Sequence, residues 1–174
     1  MHELELSGPA VAAGDYAATE IPHAGGELSM LVVVPAAGRY EQIEARLGGD
    51  LVAEIDAVAA TTSVELWLPR FESDATLDLR EAIEGGLGVE GLFGVAGWDG
   101  IAPGIWLEQA VHAADISVDE NGTVAAAATG LGFEESGPPE PEITVRADRP
   151  FLYLIRHQPT GAVLFVGRVL DPSA

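Results

Sequence analysis

TVRADRPFLYLI, Thr144 to Ile155, turns an exposed, charged segment into a buried strand across the Arg149–Pro150 bond. Proline has a fixed φ and no backbone N–H to give, so it suits the approach to a strand better than its middle. Downstream, the apolar runs Phe151 to Arg156 and Ala162 to Leu170 flank Pro159, Thr160 and Gly161. They predict two strands joined by a tight turn.

Nearer the N-terminus, YAATEIPHAGGELSMLVVVP holds two more strands, Tyr16 to Ile21 and Leu28 to Val34, around Gly25 and Gly26, a hairpin pattern. The period then lengthens. Tyr40, Ile43 and Leu47, then Leu51, Ile55 and Val58, are spaced for two short helices broken at Gly48 and Gly49. SVELWLPRF alternates outward Glu65 and Trp67 with inward Val64, Leu66 and Leu68, and Pro69 ends the run, which predicts a strand at a sheet edge. TLDLREAIEGGLG predicts a short amphipathic helix stopped by Gly85 and Gly86, with a Gly-rich loop through Gly104 behind it. IWLEQAVHAADISVD has the alternation of one long strand, Ile105 to Asp119. Many strands and few short helices define the class α+β, mostly antiparallel.

The chain has 174 residues, 48% of them hydrophobic, which is enough for one packed domain. Its 28 acidic and 8 basic residues leave a formal charge of −20, spread along the sequence as a solvated acidic surface. Nucleic acid and heparin both need a basic face, and eight scattered cations do not make one. No cysteine is present, so disulfides, thiolate metal sites and a cysteine nucleophile are excluded. Neither a signal peptide nor an unbroken apolar run of membrane-spanning length is written in the chain.

Local motifs point away from catalysis. GLGVEG carries the dinucleotide glycines at Gly86, Gly88 and Gly91, but they follow a helix where the chemistry needs them to open one. ADISVDENGT offers oxygen ligands near a glycine without the spacing of a calcium loop. His2, His23, His112 and His157 stand singly, with no glycine-flanked serine nucleophile to serve. No cofactor, no metal and no catalytic group is expected.

VRADRPFLYLI, Val145 to Ile155, nevertheless resembles the pattern that marks serpins near their C-terminus, with Asp148, Arg149, Pro150 and Phe151 at its centre. Other blocks agree in order. GGELSMLVVVP resembles the hairpin strand of sheet B, VELWLPRF the strand of sheet C that precedes the sixth strand of sheet A, and GAVLFVGRVLDP the closing strand of sheet B. AVHAADISVDENGTVAAAATG resembles the fifth strand of sheet A running into the hinge of the reactive-centre loop. The resemblance implies the C-terminal portion of a single serpin domain of bacterial type over residues 1–174, with sheets B and C, part of sheet A and an exposed reactive loop at about 121–141. It also implies that the N-terminal helices and first strands of sheet A lie outside the chain, which would then be truncated, inactive alone and prone to self-association through an uncovered sheet edge.

The same resemblance gives a role to DENGTVAAAATGLGFEESGPPEP, Asp119 to Pro141, whose alanines could otherwise make a short surface helix or a plain linker. A loop that must later slide between strands needs small side chains, and serpin loop insertion is itself a known instance of strand addition and of stored strain released. The implied hinge is Glu120, Gly122, Thr123, Val124, Ala125, Ala126, Ala127, Ala128 and Thr129, with Gly122 as pivot. His112 matches the histidine of the central shutter of sheet A.

Counting from Gly122 puts the scissile bond after Ser136, whereas aligning SGPP puts it after Glu135, so the cut falls within Glu135, Ser136 and Gly137. The implied partner is a serine protease that accepts acidic or small residues. A trypsin-like target is disfavoured, because no Lys or Arg lies between Gly122 and Ile143. Val124 stands where inhibitory members often have Glu, and GWDGI departs at Gly97, Trp98 and Asp99. The implied location is extracellular, with a cytoplasmic one left open. The alternative is a noninhibitory serpin-fold protein, a binding or chaperone-like module whose loop is only a substrate.

Overall fold

The computed structural model describes residues 2–93, 98, 100–119 and 140–173. The chain divides into two compact units, Met1–Phe71 with Ser117–Ala174, and Glu72–Ile116. The larger is built on strand β1 (His2–Ala12), which the sequence reading left out. Its alternation is modest: Glu3, Glu5 and Ser7 are exposed while Leu4 and Leu6 are half buried, and Gly8 and Pro9 interrupt the pattern.

β1 is shared between two sets of strands. Residues His2 to Ala10 pair antiparallel with β4 (Ala60–Leu68), and Ala10 to Ala12 pair with β2 (Tyr16–Pro22). A further strand, β7 (Ile143–Arg146), runs parallel to β4, and β2 is followed by β3 (Leu28–Pro35), β8 (Phe151–His157) and β9 (Ala162–Val169). The seven strands form one sheet in the order β7-β4-β1-β2-β3-β8-β9. β3 is an interior strand between β2 and β8, with Val32 and Val33 buried on opposite faces, which is why LSMLVVVP reads as an almost wholly apolar run.

The expected hairpin β2–β3 is present, with Gly25 (φ 93°) and Gly26 (φ 72°) supplying the left-handed backbone of its turn. β8 and β9 turn through Gly161 (φ 69°), whose N–H donates to the His157 carbonyl at 2.8 Å. Two helices, α1 (Tyr40–Glu44) and α2 (Gly49–Val58), follow β3. Ile43, Leu51, Val52 and Ile55 pack with Tyr16, Leu31, Val33 and Leu152 against one face of the sheet. Each such side chain contributes roughly 1.5–3 kcal/mol of burial. Gly49 opens α2 instead of breaking it; the break is the turn before it.

Three expectations are corrected. β4 is an interior strand, flanked by β1 and β7; Pro69 stops it and says nothing about its edges. The segment from Thr76 is not helical throughout: Thr76 to Asp78 belong to strand β5 (Phe71–Asp78), and only a short helical turn follows, wound as a π-helix over Glu81–Gly86. Pairing to a neighbouring strand overrode the local helical period. The long strand shrinks to β6 (Val111–Val118), whose partner β5 has only eight residues to offer.

β5 and β6 form a separate two-stranded sheet. Within the smaller unit the Arg80 guanidinium lies 4.6 Å from the Phe93 ring centre and donates to the Glu108 carbonyl at 2.9 Å.

Candidate functional site

From the end of β7 to the start of β8 the chain alternates as far as Asp148 and then stays exposed at Arg149. Val145, Ala147 and Phe151 are buried, while Arg146, Asp148 and Arg149 face solvent. The Ala147 N–H donates to the Trp67 carbonyl at 2.8 Å, continuing the β7–β4 ladder one residue past the strand. The Asp148 carboxylate accepts from Arg149 Nε at 2.8 Å and stands 4.0 Å from Arg146 Nε. The Arg149 hydrogen bond is the chief reason its carboxyl is held below the ordinary value of 3.8, against a smaller opposing effect of burial. Beyond Pro150 the chain enters the core: the Phe151 ring meets Phe71 edge-on at 5.6 Å, and Phe71 also lies 5.1 Å from the Tyr153 ring. Charged positions therefore switch to buried ones where the sequence places the switch.

His112 lies exposed on β6. β6 leads to Asp119, after which the hinge residues Glu120, Gly122, Thr123, Val124, Ala125, Ala126, Ala127, Ala128 and Thr129, and the scissile candidates Glu135, Ser136 and Gly137, lie outside the described residues. The far end of that segment is anchored. Glu142 N–H donates to the Ser63 carbonyl at 3.1 Å, and its carboxylate accepts from Thr62 Oγ1 at 2.5 Å, both on β4. β6, which precedes these residues, belongs to the two-stranded sheet, and β7, which follows them, belongs to the seven-stranded one.

One group of residues escaped the sequence reading. Arg156, at the end of an apolar run, is buried with its guanidinium bound by both Asp56 oxygens at 2.9 Å and by Glu20 Oε1 at 2.9 Å. The same Glu20 oxygen accepts from Ser29 Oγ at 2.6 Å and Gln158 Nε2 at 2.5 Å. This network ties α2 to β2, β3 and β8, and the hint for it was a charged residue inside FLYLIRH. Among the described residues, no three His, Asp or Glu side chains converge as metal ligands would.

The model of the serpin (serine protease inhibitor) family matches residues 10–172. The chain belongs to the serpin family. An uncharacterized serpin-like protein of Thermococcus kodakarensis is 36% identical over 91% of this chain and 38% of its own length. The neuroserpin of Gallus gallus is 34% identical over 94% of the chain and 40% of its own. Among solved structures, the native state of the thermophilic serpin tengpin matches with a TM-score of 0.77 at 25% identity, over 97% of this chain and 45% of that one. A thyroxine-binding globulin in complex with thyroxine matches with a TM-score of 0.79 at 23% identity, over 99% and 46%. The chain thus spans about two-fifths of the curated relatives it resembles. It is a partial serpin domain, and the α+β serpin fold read from its blocks is the fold observed.

Proposed function

We propose that this serpin portion belongs to a suicide inhibitor of serine proteases, in which the reactive-centre loop at about 121–141 is the bait and supplies the strand to be inserted. A target serine attacks the scissile carbonyl, and acyl transfer releases the new N-terminus on the Ile143 side. The segment still attached to β6 then enters sheet A before water completes hydrolysis. The serpin contributes no catalytic group.

The observation that carries this reading is the tethering of the loop. β6 delivers its N-terminal end from the two-stranded sheet, and β7 receives the other in parallel register with β4. Cutting a strap held in two different sheets frees one end without unfolding the other. The run from Val124 to Ala128 can then extend beside β6, each new backbone hydrogen bond contributing roughly 0.5–1.5 kcal/mol.

A slot needs two walls, and among the described residues β6 is paired on one side only, by β5. Trapping is therefore a property of the whole domain, and the 174-residue chain alone is cleaved without trapping. Cleavage after Glu135 would suit a protease with a basic specificity pocket, and cleavage after Ser136 one that accepts small residues. By the habit of the family the protein acts outside the cell. The thyroxine-binding globulin has the same fold, so the fold alone does not imply inhibition. The small-residue hinge favours trapping over the noninhibitory alternative.

The test is incubation with glutamate-specific and elastase-like proteases, of the chain alone and of its longest in-frame form. The expected result is a cut at Glu135 or Ser136 in both, with an SDS-resistant adduct only from the longer. Quantitative cleavage of the longer form with no adduct would falsify the inhibitory reading and leave the noninhibitory one.

A further inference from the structure

We infer that the larger unit carries a binding site for a small amphipathic monocarboxylate, in a cavity of about 310 Å³ between the β1–β2 turn, the end of β3 and the segment Thr144 to Arg149. Its apolar lining is Val34, Pro35 and the small Ala13, Ala17 and Ala36, beside the buried Tyr16, and its polar lining is Thr144, Arg146 and Arg149. A concave apolar floor with a few convergent polar groups, at the small end of the ligand-pocket range, suits one short aromatic or aliphatic body bearing one anionic head.

The arginines supply the head-group chemistry. Every cation in the chain is an arginine, eight in all, and two of them stand on this one rim. Arg146 and Arg149 share a single carboxylate, Asp148, and both approach it through Nε. The two η nitrogens at the end of each guanidinium make a fork of the geometry that matches a carboxylate. Arg146 also stands over the Trp67 ring, its Cζ 4.5 Å from the ring centre, a contact that favours this position before any ligand arrives. Two acidic neighbours already have partners: Glu65 accepts at 3.1 Å from the hydroxyl of Thr144, itself part of the lining, and Asp15 lies 3.3 Å from Arg39 Nε.

A formal charge of −20 narrows the ligand class. The field of such a protein opposes polyanions, and two guanidiniums that already share one carboxylate suit a monoanion better. The apolar floor then rewards a hydrocarbon body over acetate or formate. The site is independent of whether the loop acts as bait.

The probes are 2-naphthylacetate and its uncharged analogue 2-naphthylethanol, titrated into the 174-residue chain by calorimetry. The acid should saturate one site, with the alcohol weaker by about tenfold, the size expected when a charge-assisted fork is lost. Arg146→Gln and Arg149→Gln should each weaken the acid by a similar factor and leave the alcohol unchanged. Ala13→Leu, at an exposed position on the lip, should weaken both probes, and it keeps the test open if either Gln variant fails to fold by circular dichroism. Equal binding of acid and alcohol, or undiminished acid binding in the Gln and Leu variants, overturns the site.

Discussion

Gly167 of β9 sits directly against Tyr153 of β8: a Cβ on Gly167 would stand 2.1 Å from Tyr153 Cζ and 2.2 Å from its hydroxyl oxygen. The two are cross-strand partners, and the ring covers the glycine backbone because no side chain is there to stop it. Tyr153 cannot simply swing away, since it is buried and Phe71 lies against it. Gly167→Ala is therefore expected to destabilise the chain by about 2 kcal/mol, the scale of overpacking a filled core. Equilibrium unfolding in urea measures it. Tyr153→Leu in the same chain should recover much of the loss, because the clash is with the ring, and independent, additive effects of the two substitutions would contradict this account.

Arg156 invites a sharper comparison, because its two acidic partners differ in exposure. The Glu20 side chain is 11% exposed and that of Asp56 51%. Arg156→Ala strands Glu20 in the protein with only Ser29 and Gln158 to serve it, and a cost of about 3 kcal/mol is expected. Asp56→Asn removes a charge that water already screens, for about 1 kcal/mol or less. Denaturant midpoints should separate the two substitutions clearly; equal losses would mean that Asp56, not burial at Glu20, governs the network.

The sequence displayed some of this and hid the rest for physical reasons. β3 and β8 were legible because strands buried on both faces must be apolar throughout, and Asp148 to Phe151 because a charged segment changes to a core segment across one proline. β7 was not legible. Its partner lies on β4, Val64 against Ile143, and a parallel neighbour so distant in sequence leaves no local period to detect. The Arg156 network was hidden for the same reason, its partners lying 136 and 100 residues away. β6 was overread because alternation sets which way side chains point, while the partner strand sets how far the pairing runs. The family blocks mark where the reactive-centre loop is expected, whereas the cavity joins residues of two such blocks to the β1–β2 turn, a meeting that no local pattern displays.

Acid should expose the contribution of Asp148. Its folded pKa is lowered by Arg149, so the bond contributes stability above the unfolded value and loses it as pH falls through the folded one, below about pH 4. Total stability will not follow that curve alone, because falling pH also relieves the repulsion of a chain with 28 acidic residues. The difference between the chain and Asp148→Asn isolates the bond. It should be about 0.5 kcal/mol at neutral pH, small because the pair is well exposed, and it should vanish in acid. A difference that grows as pH falls would reverse the sign and exclude this origin.

β9 closes the sheet order, so one of its edges is unpaired among the described residues, and its side chains are bare on both faces. Val163 is 41%, Leu164 51%, Phe165 39% and Val166 55% exposed, around a β-bulge opposite Ile155 and Arg156. An apolar edge strand of this kind is a template for pairing with another chain, yet copies that each carry a charge of −20 repel one another. Salt decides between the two effects, since the Debye length shrinks from about 10 Å at 0.1 M to about 3 Å at 1 M while apolar burial is not weakened. Sedimentation should therefore find a chain that is mostly monomeric at low ionic strength and associates as salt rises. Leu164→Lys with Val166→Lys should suppress association even though it reduces the net repulsion, because it puts charge into the contact itself. Association that weakens with salt, or survives the double substitution, would place the contact somewhere other than β9.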